Sequence, residues 1–352
     1  MPVRFIRPDI LTSQAYAVPV LPENFIKLDA MEVPYRLPET LQNELAQQLG
    51  RAEINRYPNP AASGLPEALR QAFAVPETAQ IALGNGSDEL IQLLTMLVAR
   101  PQAKMLVLEP SFVMYRRNAE LFGMECIGVP LKADFSLDLP AVLAAVKTHR
   151  PALIFLAYPN NPTGVMFDRA EVEAVIAAAE GLVVVDEAYG AFSGDSFLAR
   201  AGQPENLIVL RTLSKIGFAG LRLGYAAGSP AVMNELAKIT PPYNMNALSL
   251  TAARFALQHI DVVNQTVERL KQERGRLYAA LQELDGATAF ASQANFITVR
   301  LPDAEAAYQK LWDNKILVKK LHGSHPLLDN CLRLTVGTPE QNNLVINVLK
   351  SI

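Results

Sequence analysis

The chain has 352 residues, half of them hydrophobic and 19% charged, with a net charge of −3. That balance is wrong for a disordered chain, and it offers no global basic field to recruit nucleic acid. The length exceeds what one compact core usually holds, so a large domain with a smaller companion is expected.

The first residues, MPVRFIRPDILTS, lack the apolar core of a secretory signal, and no apolar run of about 18 residues occurs, so a cytoplasmic protein without a membrane span is expected. Residues 1 to about 30 are Pro-rich, and LTSQAYAVPV reads as an irregular arm. IKLDAMEVPY (26–35) follows, then a helix from Leu37 to Leu49, a turn-rich Arg56-Tyr57-Pro58-Asn59-Pro60 and a helix from Gly64 to Phe73. Short apolar runs then alternate with amphipathic ones. Strands are predicted at Ile81–Leu83, Met105–Glu109, Glu125–Val129, Ala152–Ala157, Leu182–Asp186, Leu207–Arg211 and Arg222–Ala226. Helices are predicted at Ser87–Val98, Phe112–Leu121, Leu139–Thr148 and Arg169–Ala179. Strands that are apolar throughout and separated by helices indicate a mostly parallel sheet covered on both faces. This is a three-layer α/β/α domain over about residues 50–240. Pro241-Pro242-Tyr243-Asn244 breaks the pattern. A connecting segment (241–285) with one long helix, Ala247–Leu284, leads to a small α+β unit over 286–352, to which residues 1–49 add an arm and part of the domain. That unit holds Asn295–Val299, a helix near Ala304–Asn314, Ile316–Lys319, Cys331–Val336 and a last helix, Pro339–Leu349. The only cysteines, Cys126 and Cys331, sit in apolar stretches and read as reduced core residues. His322 and His325 read as solvated loop residues, and no metal-ligand spacing is present.

In an open parallel sheet, ligands bind where the carboxyl ends of the strands meet the loops. Polar residues follow the apolar runs at those places. Gly84-Asn85-Gly86-Ser87-Asp88 opens a helix, whose N-terminus suits phosphate. Pro110-Ser111-Phe112 offers an aromatic for stacking on a planar ring. Tyr158-Pro159-Asn160-Asn161-Pro162-Thr163-Gly164 places Asn161 as a donor in a turn. Asp186-Glu187-Ala188-Tyr189 ends a strand with a carboxylate that is expensive to bury unless paired. Arg211 to Gly224, RTLSKIGFAGLRLG, sets Lys215 in a small and apolar segment with Thr212, Ser214 and Arg222 nearby. A lysine held out of water loses its proton more readily and can form a Schiff base; hydroxyls and a guanidinium suit a phosphate. Taken singly, Ser87 reads equally as a helix cap, Phe112 as core packing, Asn161 as a turn former, Asp186 as a structural cap and Lys215 as a strand-end lysine. Together they describe one cofactor.

The chain resembles the fold-type I pyridoxal phosphate (PLP)-dependent aminotransferases along nearly its whole length, and within them the histidinol-phosphate aminotransferase family. The strings that carry this are RYPNP (56–60), GNGSDELI (84–91), EPSFVMY (109–115), PNNPTG (159–164), DEAY (186–189), TLSKIGFAGLRLGY (212–225) and CLRLTVGTPEQN (331–342). The resemblance implies that Lys215 forms the Schiff base, Asp186 pairs with the pyridinium nitrogen, Tyr189 and Asn161 contact the phenolic oxygen, and Phe112 stacks on the ring. It implies that Ser87, Asp88, Thr212, Ser214 and Arg222 hold the phosphate, that Tyr57 reaches the phosphate of a partner subunit in a homodimer, and that Arg333 grips the substrate's anionic group. Lys319 stands where many relatives have a second arginine, with Lys320 beside it. DAMEVPY replaces an Asn-rich string, with Tyr35 expected at the substrate pocket. Arg222 comes seven residues after Lys215, one fewer than in many relatives, a difference assigned to Gly217. The implied reaction is transamination of L-histidinol phosphate with 2-oxoglutarate, giving imidazole acetol phosphate and glutamate, and running in reverse in histidine synthesis. An aromatic amino-acid aminotransferase, or a PLP decarboxylase of phosphothreonine type, is the alternative.

Overall fold

The computed structural model describes residues 5–15, 22–60 and 63–351; part of the LTSQAYAVPV arm, residues 16–20, lies outside them. Seven strands form the large sheet: β2 (Gln80–Asn85), β3 (Lys104–Glu109), β4 (Glu125–Pro130), β5 (Leu153–Ala157), β6 (Leu182–Asp186), β7 (Leu207–Thr212) and β8 (Leu223–Gly228), numbered after a short β1 (Ile26–Leu28). Their order is β2-β8-β7-β6-β5-β3-β4. Only β8 runs against the rest, pairing antiparallel with both β2 and β7. The strands are apolar on both faces because helices cover both. Leu106, Leu108, Ile154, Leu156, Val183 and Val185 enter one core, while Met105, Val107, Phe155, Val184, Ile208 and Leu210 enter the other.

The helices among the described residues are α1 (Pro8–Thr12), α2 (Glu39–Gly50), α3 (Leu65–Phe73), α4 (Ser87–Val98), α5 (Val113–Leu121), α6 (Leu139–His149), α7 (Arg169–Ala178), α8 (Pro230–Ile239), α9 (Ala247–Gln258), α10 (Ile260–Gln282), α11 (Ala304–Asp313) and α12 (Pro339–Lys350). α4, α5 and α8 bury Leu90, Tyr115 and Met233 on one face of the sheet; α6 and α7 bury Val142 and Val172 on the other. No helix among them is long and apolar enough to cross a membrane.

A second sheet orders β1, β11 (Ile316–Lys320), β12 (Cys331–Thr335), β10 (Phe296–Arg300) and β9 (Thr288–Ala289). β1 pairs parallel with β11, so the segment after the arm is stitched into this sheet and carries residues 29–32 across to the large one. Both thiols are free; Cys331 is buried and Cys126 half-buried.

The single long helix expected over Ala247–Leu284 is two helices, α9 and α10. They meet at His259, which leaves helical geometry at φ −114°, ψ 34° and packs its ring 4.5 Å from Phe255. No Gly or Pro marks this break in the sequence. α8 was not anticipated, although Ser229 caps it through the N–H of Val232.

At the end of β6 two adjacent carboxylates part. Asp186 faces the site described below. Glu187 turns to the opposite side, where its Oε2 accepts from Arg211 Nη2 at 2.7 Å, Arg211 Nε at 2.9 Å and Ser196 Oγ at 2.7 Å, and its Oε1 accepts from the Phe197 N–H. Glu187 has no side-chain exposure. Replacing it with Ala strands the Arg211 guanidinium and is expected to lower stability by about 3–5 kcal/mol, read as a shifted urea midpoint; an unchanged midpoint would show the pair to be dispensable.

Candidate active site

One topological fact places the site. The carboxyl ends of β2, β3, β5, β6 and β7 share an edge, and because β8 runs the other way, Arg222, just before it, lands on that same edge. A cavity of about 400 Å³ opens there, lined by Ser87, Asp88, Phe112, Asn161, Asp186, Tyr189, Thr212, Ser214, Lys215 and Arg222, with Tyr115, Ala30, Met31 and Glu32. The structure thus brings ten of the expected site residues to one cavity.

Its first end is an anion cradle. Ser87 is not the helix cap expected from its type. Gly86 holds that position at φ 83°, and no side chain caps the first amides of α4. The Thr212 hydroxyl donates to the Leu223 carbonyl at 2.9 Å and accepts from the Ser214 N–H at 3.1 Å, with Ser214 Oγ 2.9 Å away. Arg222 reaches Asp88 at 3.2 Å. The approach is close: a Cβ on Gly86 would lie 2.5 Å from Arg222 Nη2, and one on Gly224 would lie 2.5 Å from the Ser87 nitrogen. Between the lysine and the arginine the backbone takes positive φ at Gly217 (111°), and it does so again at Arg222 (51°), where it is strained for an arginine. Glu89, not anticipated as a site residue, accepts from the Asn85 N–H at 2.7 Å and from Asn244 Nδ2 at 2.8 Å, and so pins the turn that precedes the cradle.

The other groups line the cavity between that cradle and the small sheet. The Asp186 carboxylate is buried and accepts from the Tyr115 hydroxyl at 2.7 Å and the Ala188 N–H at 3.0 Å. Burial pushes its pKa up to about 6 against those two donors, so it is ionised above that pH. Asn161 Nδ2 donates to the Tyr189 hydroxyl at 3.2 Å, and burial pushes that phenol up. Lys215 Nζ donates to the Ala30 carbonyl at 3.1 Å. Burial first, and the charge of Arg333 second, lower its pKa from 10.5 to about 8.

A second cavity of about 470 Å³ shares Met31, Phe112 and Asn161 with the first and is also lined by Arg333, Lys319, Lys320, Arg116 and His325. Arg333, 7% exposed, donates from Nη1 to Asn161 Oδ1 and from Nη2 to the Asp29 carbonyl at 2.8 Å, and lies over the Phe296 ring. Lys319 is the register partner of Arg333, so both side chains leave the same face of the sheet. Lys320 points away: its ammonium meets Glu305 at 3.0 Å above the Tyr308 ring.

Two expected residues lie elsewhere. Tyr35 lines a separate small recess with Ile216, Gly217 and Val263, and the arm residues at the cavity are Ala30, Met31 and Glu32 instead. Tyr57 is 82% exposed, stacks on Tyr243 at 4.8 Å and borders a third recess with Arg56 and Arg254.

The donor set fits a phosphorylated aromatic aldehyde such as PLP. A cradle of backbone amides and hydroxyls with Arg222 suits its phosphate, Phe112 offers a face to its ring, a buried carboxylate suits a pyridinium nitrogen, and a readily deprotonated amine is set to meet its carbonyl.

Residues 23–349 match the model of the aminotransferase class I and II family, and the chain belongs to that family. It is 60% identical to a histidinol-phosphate aminotransferase of Neisseria meningitidis serogroup B, over 99% of this chain and 96% of the relative. It is 56% identical to the histidinol-phosphate aminotransferase of Chromobacterium violaceum, over 99% and 97% of the two chains. Among solved structures, the histidinol-phosphate aminotransferase of Sinorhizobium meliloti, in complex with pyridoxal-5′-phosphate, superposes with a TM-score of 0.86 at 23% identity, covering 99% of this chain and 97% of that one. The last likeness speaks to fold.

Proposed function

We infer that the chain transaminates L-histidinol phosphate with 2-oxoglutarate, giving imidazole acetol phosphate and L-glutamate, and that it runs in the reverse direction in L-histidine biosynthesis, as a cytoplasmic homodimer using PLP. Kinship to the relatives above supports the substrate. The observation that carries the chemistry is the position of Lys215: a part-buried lysine whose pKa is lowered to about 8, in one cavity with an anion cradle and a buried carboxylate, beside a second cavity holding Arg333 and Lys319.

Bound here, PLP supplies a carbonyl for amine exchange and an electron-withdrawing ring that spreads the charge left when a proton departs. The chain's own residues do the rest. Ser87, Asp88, Thr212, Ser214 and Arg222 would hold the phosphate. Phe112 would lie against the ring, and Asp186 would keep its nitrogen protonated. Asn161 and Tyr189, already joined by a hydrogen bond, would meet the phenolic oxygen. Lys215 Nζ, once neutral, takes the proton from the substrate's α-carbon and later returns one, acting first as base and then as acid. Arg333 with Lys319 would take the substrate phosphate in one half-reaction and a carboxylate of the keto acid in the other. The exposed Tyr57–Tyr243 pair supports a second subunit on that face, with Tyr57 directed to its partner's cofactor.

The test is a half-reaction followed by absorbance. L-histidinol phosphate without keto acid is expected to convert the visible PLP band to the pyridoxamine form, and 2-oxoglutarate to restore it. Conversion by phenylalanine or tyrosine alone would favour an aromatic aminotransferase; CO2 release without need of a keto acid would favour a decarboxylase. Sedimentation is expected to show a dimer.

A further inference from the structure

Tyr115 has no role in the reading above, yet it touches two of that reading's parts. It sits on α5, three residues after Phe112, and its hydroxyl crosses 71 residues of sequence to donate to Asp186 Oδ2 at 2.7 Å. Both residues are buried, at 1% and 4% exposure. The second carboxylate oxygen, Oδ1, accepts from the Ala188 N–H at 3.0 Å, so two donors set the plane of the group. The Tyr115 ring lies flat on Phe155, centroids 4.5 Å apart and 6° from parallel, which holds the hydroxyl in place. The same ring meets Phe112 edge-on at 5.6 Å and 84°.

A carboxylate in such a place is pulled two ways. Burial favours its protonated form, and so do the negative charges of Asp88 on α4 and of Glu187, its sequence neighbour, although that carboxylate points the other way. The opposing groups are the two donors, with the Lys215 ammonium in the same cavity. The backbone donor is common to any such loop; the phenol is specific to Tyr115.

We propose that Tyr115 is a positioning residue that keeps Asp186 ionised and aimed, so that the carboxylate holds a proton on the ring nitrogen of the cofactor without taking it, while bracing Phe112 against the same ring. No covalent step is involved. One proton is shared between a ring nitrogen and Asp186, and the phenol's hydrogen bond stabilises the arrangement in which the nitrogen keeps it. The proposal rests on the reading that Asp186 faces the cofactor's pyridine nitrogen.

The test uses Tyr115→Phe, which keeps the ring and removes only the hydroxyl, and 3-fluorotyrosine at position 115, which makes the phenol a stronger donor. In the full-length chain labelled with carboxyl-13C aspartate, with Asp186→Asn to assign the signal, the Asp186 titration midpoint is expected to rise by about one to two pH units in Tyr115→Phe and to fall in the fluorinated protein. In protein loaded with 15N-labelled PLP, the ring-nitrogen resonance is expected to move toward the unprotonated position in Tyr115→Phe, and kcat to fall more than KM for L-histidinol phosphate changes. A midpoint that stays put in both variants would overturn the proposal, even if Tyr115→Phe lowers stability through lost packing. If the unsubstituted chain binds no PLP, the cofactor reading fails on its own, and the cofactor-free titration still decides whether the phenol governs Asp186.

Discussion

Replacing Lys215 with Ala is expected to lower kcat by about 10⁴-fold or more, while leaving the folded protein at least as stable as before. The activity loss follows from the two tasks proposed for the amine, which nothing nearby can take over: it would meet the cofactor carbonyl, and it would carry the proton to and from the substrate carbon. The other cations at the two cavities, Arg116, Arg222, Arg333, Lys319 and Lys320, are three guanidiniums that stay protonated, a lysine on the small sheet beside Arg333, and one tied to Glu305. The stability claim follows from the lowered pKa. A lysine brought from 10.5 to about 8 by burial and by Arg333 carries a penalty in the folded chain at every pH where it is charged. Below pH 8 that penalty is fully present. Between about 8 and 10.5 the unfolded chain holds a proton that the folded one has released, so stability rises with pH across that window. Lys215→Ala removes the penalty, so urea midpoints should be no lower and their rise between pH 8 and 10.5 should flatten. In the unsubstituted chain, the rate of reaction with added PLP should climb as pH passes through about 8, because the neutral amine is the nucleophile. A pH-independent rate over pH 6–10 would refute the shifted lysine.

Much of this site is visible in the primary structure because a parallel sheet converts sequence position into location. Every apolar run that ends in a polar side chain delivers that side chain to one edge. Asp186 closing Leu182–Val185, Thr212 closing Leu207–Arg211, and Asn161 just after Leu153–Ala157 need no more than this rule to be placed together. Arg222 follows from the same rule only once β8 is known to run antiparallel, which the apolar pattern does not state.

What stayed hidden has a common cause: the partner is a backbone atom or is distant in sequence. The carbonyls of Asp29, Ala30 and Met31 accept in turn from Arg333, Lys215 and Asn295. Carbonyls carry no sequence signature, so the arm's place at the cavity was sought in Tyr35, which the chain direction carries into a recess beside Ile216 instead. Tyr115 reads as one more apolar helix position, and only the fold shows its hydroxyl reaching Asp186. The break at His259 has no such signature either, since neither Gly nor Pro stands there.

Replacing Arg333 with Ala is expected to reduce kcat/KM about 10²- to 10³-fold for both L-histidinol phosphate and 2-oxoglutarate, or about 3–4 kcal/mol of transition-state binding. Both substrates are expected to suffer because, on the proposed reading, one planar fork on β12 would meet the anionic oxygen of each. Its aim is fixed before substrate arrives: Nη2 is held by the Asp29 carbonyl, Nη1 by Asn161 Oδ1, and its plane lies over Phe296 at 5.2 Å. Arg333→Lys should recover only part of the loss, because an ammonium keeps the charge without the fork. Lys319→Ala should weaken binding less, by about threefold to tenfold, since that side chain is exposed and its charge is screened by water. A second consequence separates a site role from general damage. Arg333 is one of the charges that lowers the Lys215 pKa, so its removal should move the pH midpoint for reaction with PLP upward from about 8. Unchanged affinity for both substrates would remove Arg333 from the anion site, whereas loss for one substrate alone would mean that the phosphate and the dicarboxylate are read by different cations.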